Sequence, residues 1–386
     1  MKINHIWQDY SPNLFDKSHP LCQLHGFNSE VVCQAFIDNG AKPLDGTYWV
    51  RKRDPSESNF VSFGARMLRR IRRPIDAISF ARLVHSRIRT NSPDVMHLHF
   101  GTTASTLEQL GALPNLPMVV SFYGSDASAS LRDPNILRAY RSIFKKASVL
   151  HVLCDEVQQR LVEVGCPAEK IRIANLPANL ELIPDIGVEP TEITRFLMPA
   201  RFVEKKGHVV LLTAFKRLLD DGHPASLTCY GYGPVEWLHR CVAELKLGQT
   251  VTIVNNQQSS NFMEEYLSLL RQHDVVLAPS IRSKTGDDEG GPALTLVMAQ
   301  AAGKPVIVSD FPGSERSVTD AEQGLVVPVG DATALQKAMT VMICNHPMWQ
   351  RFGRAGRKRV LNEFSEESYW TSLQDWYQDS WLGFRA

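Results

Sequence analysis

The segment from His273 to Gly313, HDVVLAPSIRSKTGDDEGGPALTLVMAQAAGKPVIVSDFPG, constrains the fold more tightly than any other part of the chain. It reads as an apolar strand (DVVLAPS), an acidic glycine-bearing loop (GDDEGG), a helix opened by Pro292 and closed by Gly303, and a second apolar strand (PVIVSD). Proline suits the first helical position, where its missing N–H is no loss, and glycine just past the last turn takes the left-handed conformation that ends a helix. Short apolar runs on either side of a helix predict two parallel strands covered on both faces, joined by a right-handed crossover. In such sheets ligands sit beyond the carboxyl ends of the strands, where loop and helix N-terminus meet. Here that place carries Glu289, Gly290 and Gly291. Bare amides suit an anionic group, and a carboxylate accepts hydrogen bonds from hydroxyls. The ligand this predicts joins a phosphate to a polyol, as a nucleotide sugar does.

At 386 residues the chain exceeds one compact core and fits two domains. Its 44% hydrophobic and 22% charged composition is that of a soluble globular protein. No apolar run approaches the roughly 18 residues of a membrane span, and MKINHIWQDY lacks the apolar stretch of a signal peptide. Seven cysteines without a CxxC pair read as reduced thiols of a cytosolic protein. The net charge of +1 conceals a basic segment: residues 51–89 hold eleven Lys/Arg against three acids. Within it Phe60, Phe63, Met67 and Ile71 recur at helical spacing with arginines between them. Residues 60–89 therefore either lie on an anionic membrane surface or pack an apolar stripe on the core. No nucleic-acid-binding motif accompanies the patch, so nucleic acid is not an expected partner.

Apolar strand candidates in the first half are 2–7, 29–34, 94–100, 118–124, 148–154 and 170–176, with helical patterns at 75–90, 103–112, 134–147 and 155–165. The proline- and acid-rich stretch 177–193 reads as a linker. Strands at 195–200, 226–231 and 251–255 then alternate with helices at 207–220 and 234–246 and lead into the segment described above. Regular alternation of this kind predicts an α/β parallel sheet, twice over, with strand ends lining a cleft between two domains. The aromatic tail SYWTSLQDWYQDSWLGF reads as one or two packing helices.

Three clusters fall at the carboxyl ends of predicted strands. In ARFVEKKG (200–207), Arg201 and Lys206 straddle a loop that opens a helix at Gly207. Two cations near a helix N-terminus either clamp a diphosphate, stabilising its growing charge as a bond to it breaks, or are plain surface charge. In YGYGP (230–234), Gly231, Gly233 and Pro234 form a turn suited to close backbone approach to a flat base or ribose. The third cluster is the GDDEGG loop, in which Asp287 and Asp288 read either as Mg²⁺ ligands or as groups that solvate the loop. His97 and His99 flank Leu98 on one strand face, and His99, nearer the strand end, is either an acceptor contact or a buried imidazole.

Taken in order, HLHFG (97–101), SFYGSD (121–126), GCPAEKIRI (165–173), ARFVEKKG, GYGP, LAPS, EGGP, AAGKPVIVSD and GLVVPVGD (324–331) resemble the family 4 glycosyltransferases of the GT-B fold. The likeness is greatest to bacterial enzymes of exopolysaccharide, capsule or lipopolysaccharide assembly. It implies an N-terminal Rossmann-like acceptor domain over 1–185, a donor domain over 186–365, and a tail, 366–386, returning to the first. It implies that Arg201 and Lys206 hold the donor diphosphate and that Glu289, Gly290 and Gly291 grip sugar and phosphate. Ser280, Gly231, Gly233, Pro234 and Met298 would line the donor, while His99 and Asp126 would meet a glycan or lipid-linked glycan acceptor. Transfer would retain anomeric configuration, without a metal or other cofactor beyond the nucleotide-diphospho-sugar. The enzyme would work at the inner face of the cytoplasmic membrane.

Two departures from the family pattern stand out. A second glutamate, eight residues after the first, usually bonds the donor ribose; here Val297 or, aligned from the following glycine, Met298 occupies that place. Many relatives carry histidine before the glycine of SFYGSD, beside the donor sugar, where this chain has Tyr123. Its hydroxyl can donate a hydrogen bond but cannot become a cation near neutral pH, and the alternative reading of this tyrosine is core packing. Alternatives that keep the double fold are a GT-B phosphorylase or epimerase, and a catalytically silent scaffold subunit of a polysaccharide-assembly complex.

Overall fold

The computed structural model describes residues 1–10, 22–37, 46–53, 63–178, 180–256 and 262–385, without the side chains of 9–10, 36–37, 51–53 and 63–73. The chain divides into two compact units, Met1–Ala174 with Glu366–Ala386, and Asn175–Ser365. Each is built on one wholly parallel sheet.

The sheet of unit 1 has the order β3-β2-β1-β4-β5-β6-β7. Its strands are β1 (Lys2–Tyr10), β2 (Asn28–Ile37), β3 (Thr47–Arg53), β4 (Val95–His99), β5 (Met118–Ser121), β6 (Val149–Val152) and β7 (Ile171–Ile173). Every residue of β4, β5 and β6 is buried, which is why these strands read as apolar runs. The edge strand β3 was not expected. TYWVRKR ends in a run of three cations that reads as loop, and only an edge tolerates such charge. A helix spans Phe63–Asn91, longer than its periodicity suggests, and buries Phe80 and Val84. The side chains of the basic stretch 60–73 lie outside the described residues; beyond it, Ile75 and Ile78 are exposed. Among the described residues no helix is long and apolar enough to cross a membrane.

The tail forms a single helix, Glu366–Arg385, that buries Trp376 and Tyr377 in unit 1. It meets a row of polar groups within the sheet, because register sets His97 opposite His5, and Ser121 opposite both His99 and His151. The protons in part of this row follow from donor accounting. His151 Nε2 lies 3.1 Å from the Ala174 carbonyl oxygen, which only accepts, so Nε2 carries the proton. With neutral rings, His151 Nδ1 accepts from the Ser121 hydroxyl at 2.9 Å. That hydroxyl accepts in turn from His97 Nε2–H at 2.8 Å. His97 Nδ1 is left to accept from the Tyr377 hydroxyl at 2.8 Å. A polar line thus runs through the sheet with each member satisfied, which is what burial requires.

Unit 2 has the strand order β10-β9-β8-β11-β12-β13. The strands are β8 (Thr194–Pro199), β9 (Ala225–Gly231), β10 (Val251–Asn255), β11 (Val275–Ala278), β12 (Val306–Ser309) and β13 (Gly324–Val327). The expected strand–helix–strand unit is present: β11 and β12 pair in parallel, Val276 against Val306, around the helix Leu294–Ala301. That helix starts later than its proline suggests, with Ala293 as cap. Gly313 packs so closely on Gly291 that a Cβ on it would lie 2.5 Å from the Gly291 Cα, and Pro292 is held in the extended segment before the helix. The stretch 177–193 packs on this unit: Ala178 and Ile183 are buried, and the amides of Ile186 and Gly187 donate to the Ala302 carbonyl.

Burial first, and then neighbouring imidazoles, hold His97 and His99 well below the ordinary histidine value of 6.5. In the unfolded chain both titrate near 6.5, so below that pH the unfolded state binds protons that the folded state refuses. Their contribution is present in full above 6.5 and is lost as pH falls toward the folded values, at about 1.4 kcal/mol per pH unit for each ring. Hydrogen-exchange protection of the β4 and β5 amides, corrected for intrinsic rates, is therefore expected to drop between pH 6.5 and 5. A flat opening free energy across that window would contradict neutral, buried rings.

Candidate functional site

The residues singled out in unit 2 gather where β8, β9 and β11 end. After β8 the chain passes Arg201, makes the short turn Glu204–Lys206, and enters the helix His208–Asp220 through Gly207. Gly207 has φ 78°, and a Cβ on it would fall 1.8 Å from the Pro279 carbonyl oxygen. The loops after β8 and β11 thus touch backbone to backbone, and the amide of Ile281 donates to the Lys205 carbonyl at 2.7 Å. This contact delivers two lysines to the acidic loop. Lys206 Nζ donates to Glu289 Oε1 at 2.6 Å, and the Ser280 hydroxyl donates to the same oxygen at 2.8 Å. Lys205, which sequence reasoning passed over, is the more buried lysine; its Nζ donates to Asp287 Oδ1 at 3.0 Å and to the Asp288 carbonyl at 2.9 Å. Asp287 is therefore a loop anchor, and Asp288 is buried; neither solvates the loop as the sequence suggested.

Glu289 is 8% exposed. Burial opposes its ionisation, but the ammonium groups of Lys206 and Lys205, with the hydrogen bonds from Lys206 and Ser280, together bring it below the ordinary carboxylate value. It is an anion held by cations. Arg201 is exposed on the loop after β8, while Gly290 and Gly291 are buried directly after Glu289.

Other expected donor contacts fare differently. A Cβ at Gly231 would lie 2.0 Å from the Ala200 carbonyl oxygen, so this glycine serves the approach of one loop to another. Gly233, at φ 126°, continues that turn, and Pro234 is exposed. Met298 is corrected outright: it and Val297 are buried in the apolar core, where the side chains pack under the helix instead of facing a ligand. Unexpected polar residues lie beside the end of β9. The Tyr230 hydroxyl donates to Glu265 at 2.9 Å and accepts from Asn256 Nδ2 at 2.8 Å. With Asn255 and Gln272 they line a groove of about 480 Å³. Glu265 sits in FMEEYLSLL, where nothing in the sequence separates it from a surface acid.

In unit 1, Tyr123 is half-buried just beyond β5, with its hydroxyl 2.8 Å from His99 Nδ1. His99 takes the buried alternative: it stacks on Trp7 at 3.9 Å, and its Nε2 lies 3.1 Å from His5 Nδ1. Asp126, expected at the acceptor, is fully buried; it accepts from the amides of Gly101, Tyr123 and Gly124 and so fixes the loops after β4 and β5. Between them Phe100 adopts φ 68°, ψ 130°, a conformation that a bulky residue rarely takes and that concentrates at functional sites. Topology also brings His5, His97 and His99 together, with one nitrogen of each within 4.8 Å of the others, but both nitrogens of His97 and of His99 already face hydrogen-bond partners. The sequence showed no such cluster, because the three rings come from two strands that sequence alone does not pair.

The chain is similar to known glycosyltransferases over most of its length. Residues 181–359 match the family described as glycosyl transferases group 1, and residues 24–176 match the glycosyl transferase 4-like domain. The amylovoran biosynthesis glycosyltransferase AmsK of Erwinia amylovora is 28% identical over 296 residues, 73% of this chain and 69% of that protein. Among solved structures, sucrose-phosphate synthase from Thermosynechococcus elongatus superposes with a TM-score of 0.79 at 18% identity, covering 99% of both chains. Anabaena HepE in complex with UDP-glucose gives 0.71 at 13% identity, covering 97% of this chain and 98% of that one. Likeness at these identities shows the fold, two parallel-sheet α/β domains of the GT-B type.

The tight contact at Gly207 yields a test. Gly222 has a similar φ of 82° with open space around it, so Gly222→Ala carries only the left-handed penalty, about 1–2 kcal/mol. Gly207→Ala adds the collision with Pro279, and its thermal unfolding should reveal at least about 2 kcal/mol beyond the Gly222 variant. Equal losses would mean that the two loops do not abut.

Proposed function

The chain belongs to the group 1 glycosyltransferases, and from that premise we propose that it transfers a sugar from a nucleotide-diphospho-sugar onto a growing bacterial surface polysaccharide. The observation that carries this reading is the junction of Lys206, Glu289 and Ser280 beside a second, buried lysine and the exposed Arg201. Lys205 is accounted for by its bonds to Asp287 and the Asp288 carbonyl, but a structural ion pair would not need the exposed Arg201 at the same strand end. A diphosphate would: Arg201 and Lys206 take its oxygens, and Lys206 gives up its bond to Glu289, whose carboxylate is then available to sugar hydroxyls. As the bond from the anomeric carbon to the phosphate oxygen breaks, the same cations stabilise the leaving charge. The acceptor oxygen bonds that carbon on the same face, and its proton passes to the departing phosphate, so configuration is retained. Nothing in this route calls for a metal.

HepE, whose solved complex holds UDP-glucose, supports a nucleotide sugar as donor, and AmsK supports polysaccharide assembly as the setting. On unit 1, Tyr123 is the residue proposed to meet a sugar. A lipid-linked acceptor would bring the protein to the inner face of the cytoplasmic membrane, and residues 60–89 are the proposed contact with anionic lipid. A catalytically silent scaffold is the second reading, favoured by the apolar burial of Val297 and Met298 at the place where the family pattern implies a carboxylate.

Arg201→Ala is expected to slow transfer about a hundredfold or more while leaving the unfolding midpoint in place. Lys206→Ala should lose a similar factor and also about 1–3 kcal/mol of stability, since Glu289 is left buried beside one cation fewer. Wild-type turnover by both variants would remove the assignment. In a thermal-shift panel of UDP, GDP and ADP, one nucleotide should stabilise the fold, by about 2.7 kcal/mol at a hundredfold excess over its dissociation constant. No shift with any of the three would favour the scaffold.

A further inference from the structure

We propose that His99 is a positioning residue that fixes the direction in which Tyr123 presents its hydroxyl to the sugar. The proposal rests on the transfer reading above.

The Tyr123 ring is held on several sides. Phe100 meets it edge-on at 4.9 Å and 78°, His151 meets it at 6.1 Å and 79°, and Trp7 lies nearly parallel at 6.4 Å. Its amide is fixed by Asp126 Oδ1 at 3.0 Å. With ring and backbone constrained, rotation of the phenol O–H is the soft coordinate that remains. The 2.8 Å contact to His99 Nδ1 governs that rotation.

His99 cannot move to follow the phenol. Its ring is sandwiched between Trp7 at 3.9 Å and 8° and His97 at 3.9 Å and 25°, and Nε2 is 3.1 Å from His5 Nδ1. A neutral imidazole carries one N–H, which leaves two arrangements. With the proton on Nε2, it donates toward His5, the phenol donates to Nδ1, and Tyr123 offers lone pairs to a ligand. With the proton on Nδ1, the phenol accepts it and points its own hydrogen outward. Each tautomer commits the hydroxyl to one direction, so a ligand meets an oriented group. Preorientation of this kind matters to a transition state because nothing need rearrange as charge develops. Burial keeps the imidazole neutral, as both arrangements require.

Side-chain amides separate the two ring nitrogens, because the amide of asparagine reaches the Nδ1 position and that of glutamine the Nε2 position. Transfer is measured with UDP-glucose, GDP-mannose and ADP-glucose against a membrane extract, using the donor that wild type turns over. Tyr123→Phe is expected to lower kcat about tenfold, the rate equivalent of one hydrogen bond. His99→Gln should lower it by the same factor, His99→Asn by less than about twofold, and His99→Gln should add nothing to Tyr123→Phe. Equal losses in the Asn and Gln variants, or a further tenfold loss in the double variant, would overturn the proposal. If neither His99 variant folds, ¹⁵N-histidine NMR of wild type decides: the His99 Nδ1 signal should move when donor and extract are added, and stay put in Tyr123→Phe. An unmoved wild-type signal overturns it. Wild type inactive with every donor would instead bring down the transfer reading itself.

Discussion

Both sheets are wholly parallel, their central strands are buried on both faces, and this constraint governs where polar chemistry can sit. A buried strand offers no water, so any polar side chain within it must close its hydrogen bonds against protein. In unit 1 that is achieved by the line from Tyr377 through His97, Ser121 and His151 to the Ala174 carbonyl. In unit 2 polar function is pushed out to the strand ends, where loops after β8 and β11 can approach each other because Gly207 has no side chain.

The lysines on that approach illustrate how charge is managed under burial. A buried ion pair adds little net stability, since desolvation offsets much of the attraction, but removal of one partner leaves an expensive uncompensated charge. Lys206 and Glu289 therefore fix each other's geometry more than they stabilise the fold. Lys205, bound to Asp287 and to the Asp288 carbonyl, keeps the acidic loop from moving away. The result is a carboxylate kept ionised in a nearly dry place and ready to exchange partners.

Much of the fold was legible because its signals are local. The strand–helix–strand unit around Leu294–Ala301 announces itself through apolar runs and a terminal glycine. The pairing of Lys206 with Glu289 was readable only as a shared location at strand ends, whereas the division of labour between Lys205 and Lys206 depends on a turn that sequence does not specify. β3 was missed because its charges suit an edge, and Glu265 because its partner Tyr230 lies on another element. His97 and His99 were placed on one strand face correctly. Their neighbours His5, Ser121 and His151 depend on strand register, which only the assembled sheet supplies.

The helix Glu366–Arg385 carries a consequence for biogenesis. Its Tyr377 completes a hydrogen-bonded line begun 280 residues earlier, and the whole of unit 2 is translated between the two. At the usual elongation speed of about 5–20 residues per second, the nascent first sheet waits roughly 10–40 s with its histidine-bearing side uncovered. During that interval it is an open template, and a chaperone at the ribosomal exit has a defined surface to shield.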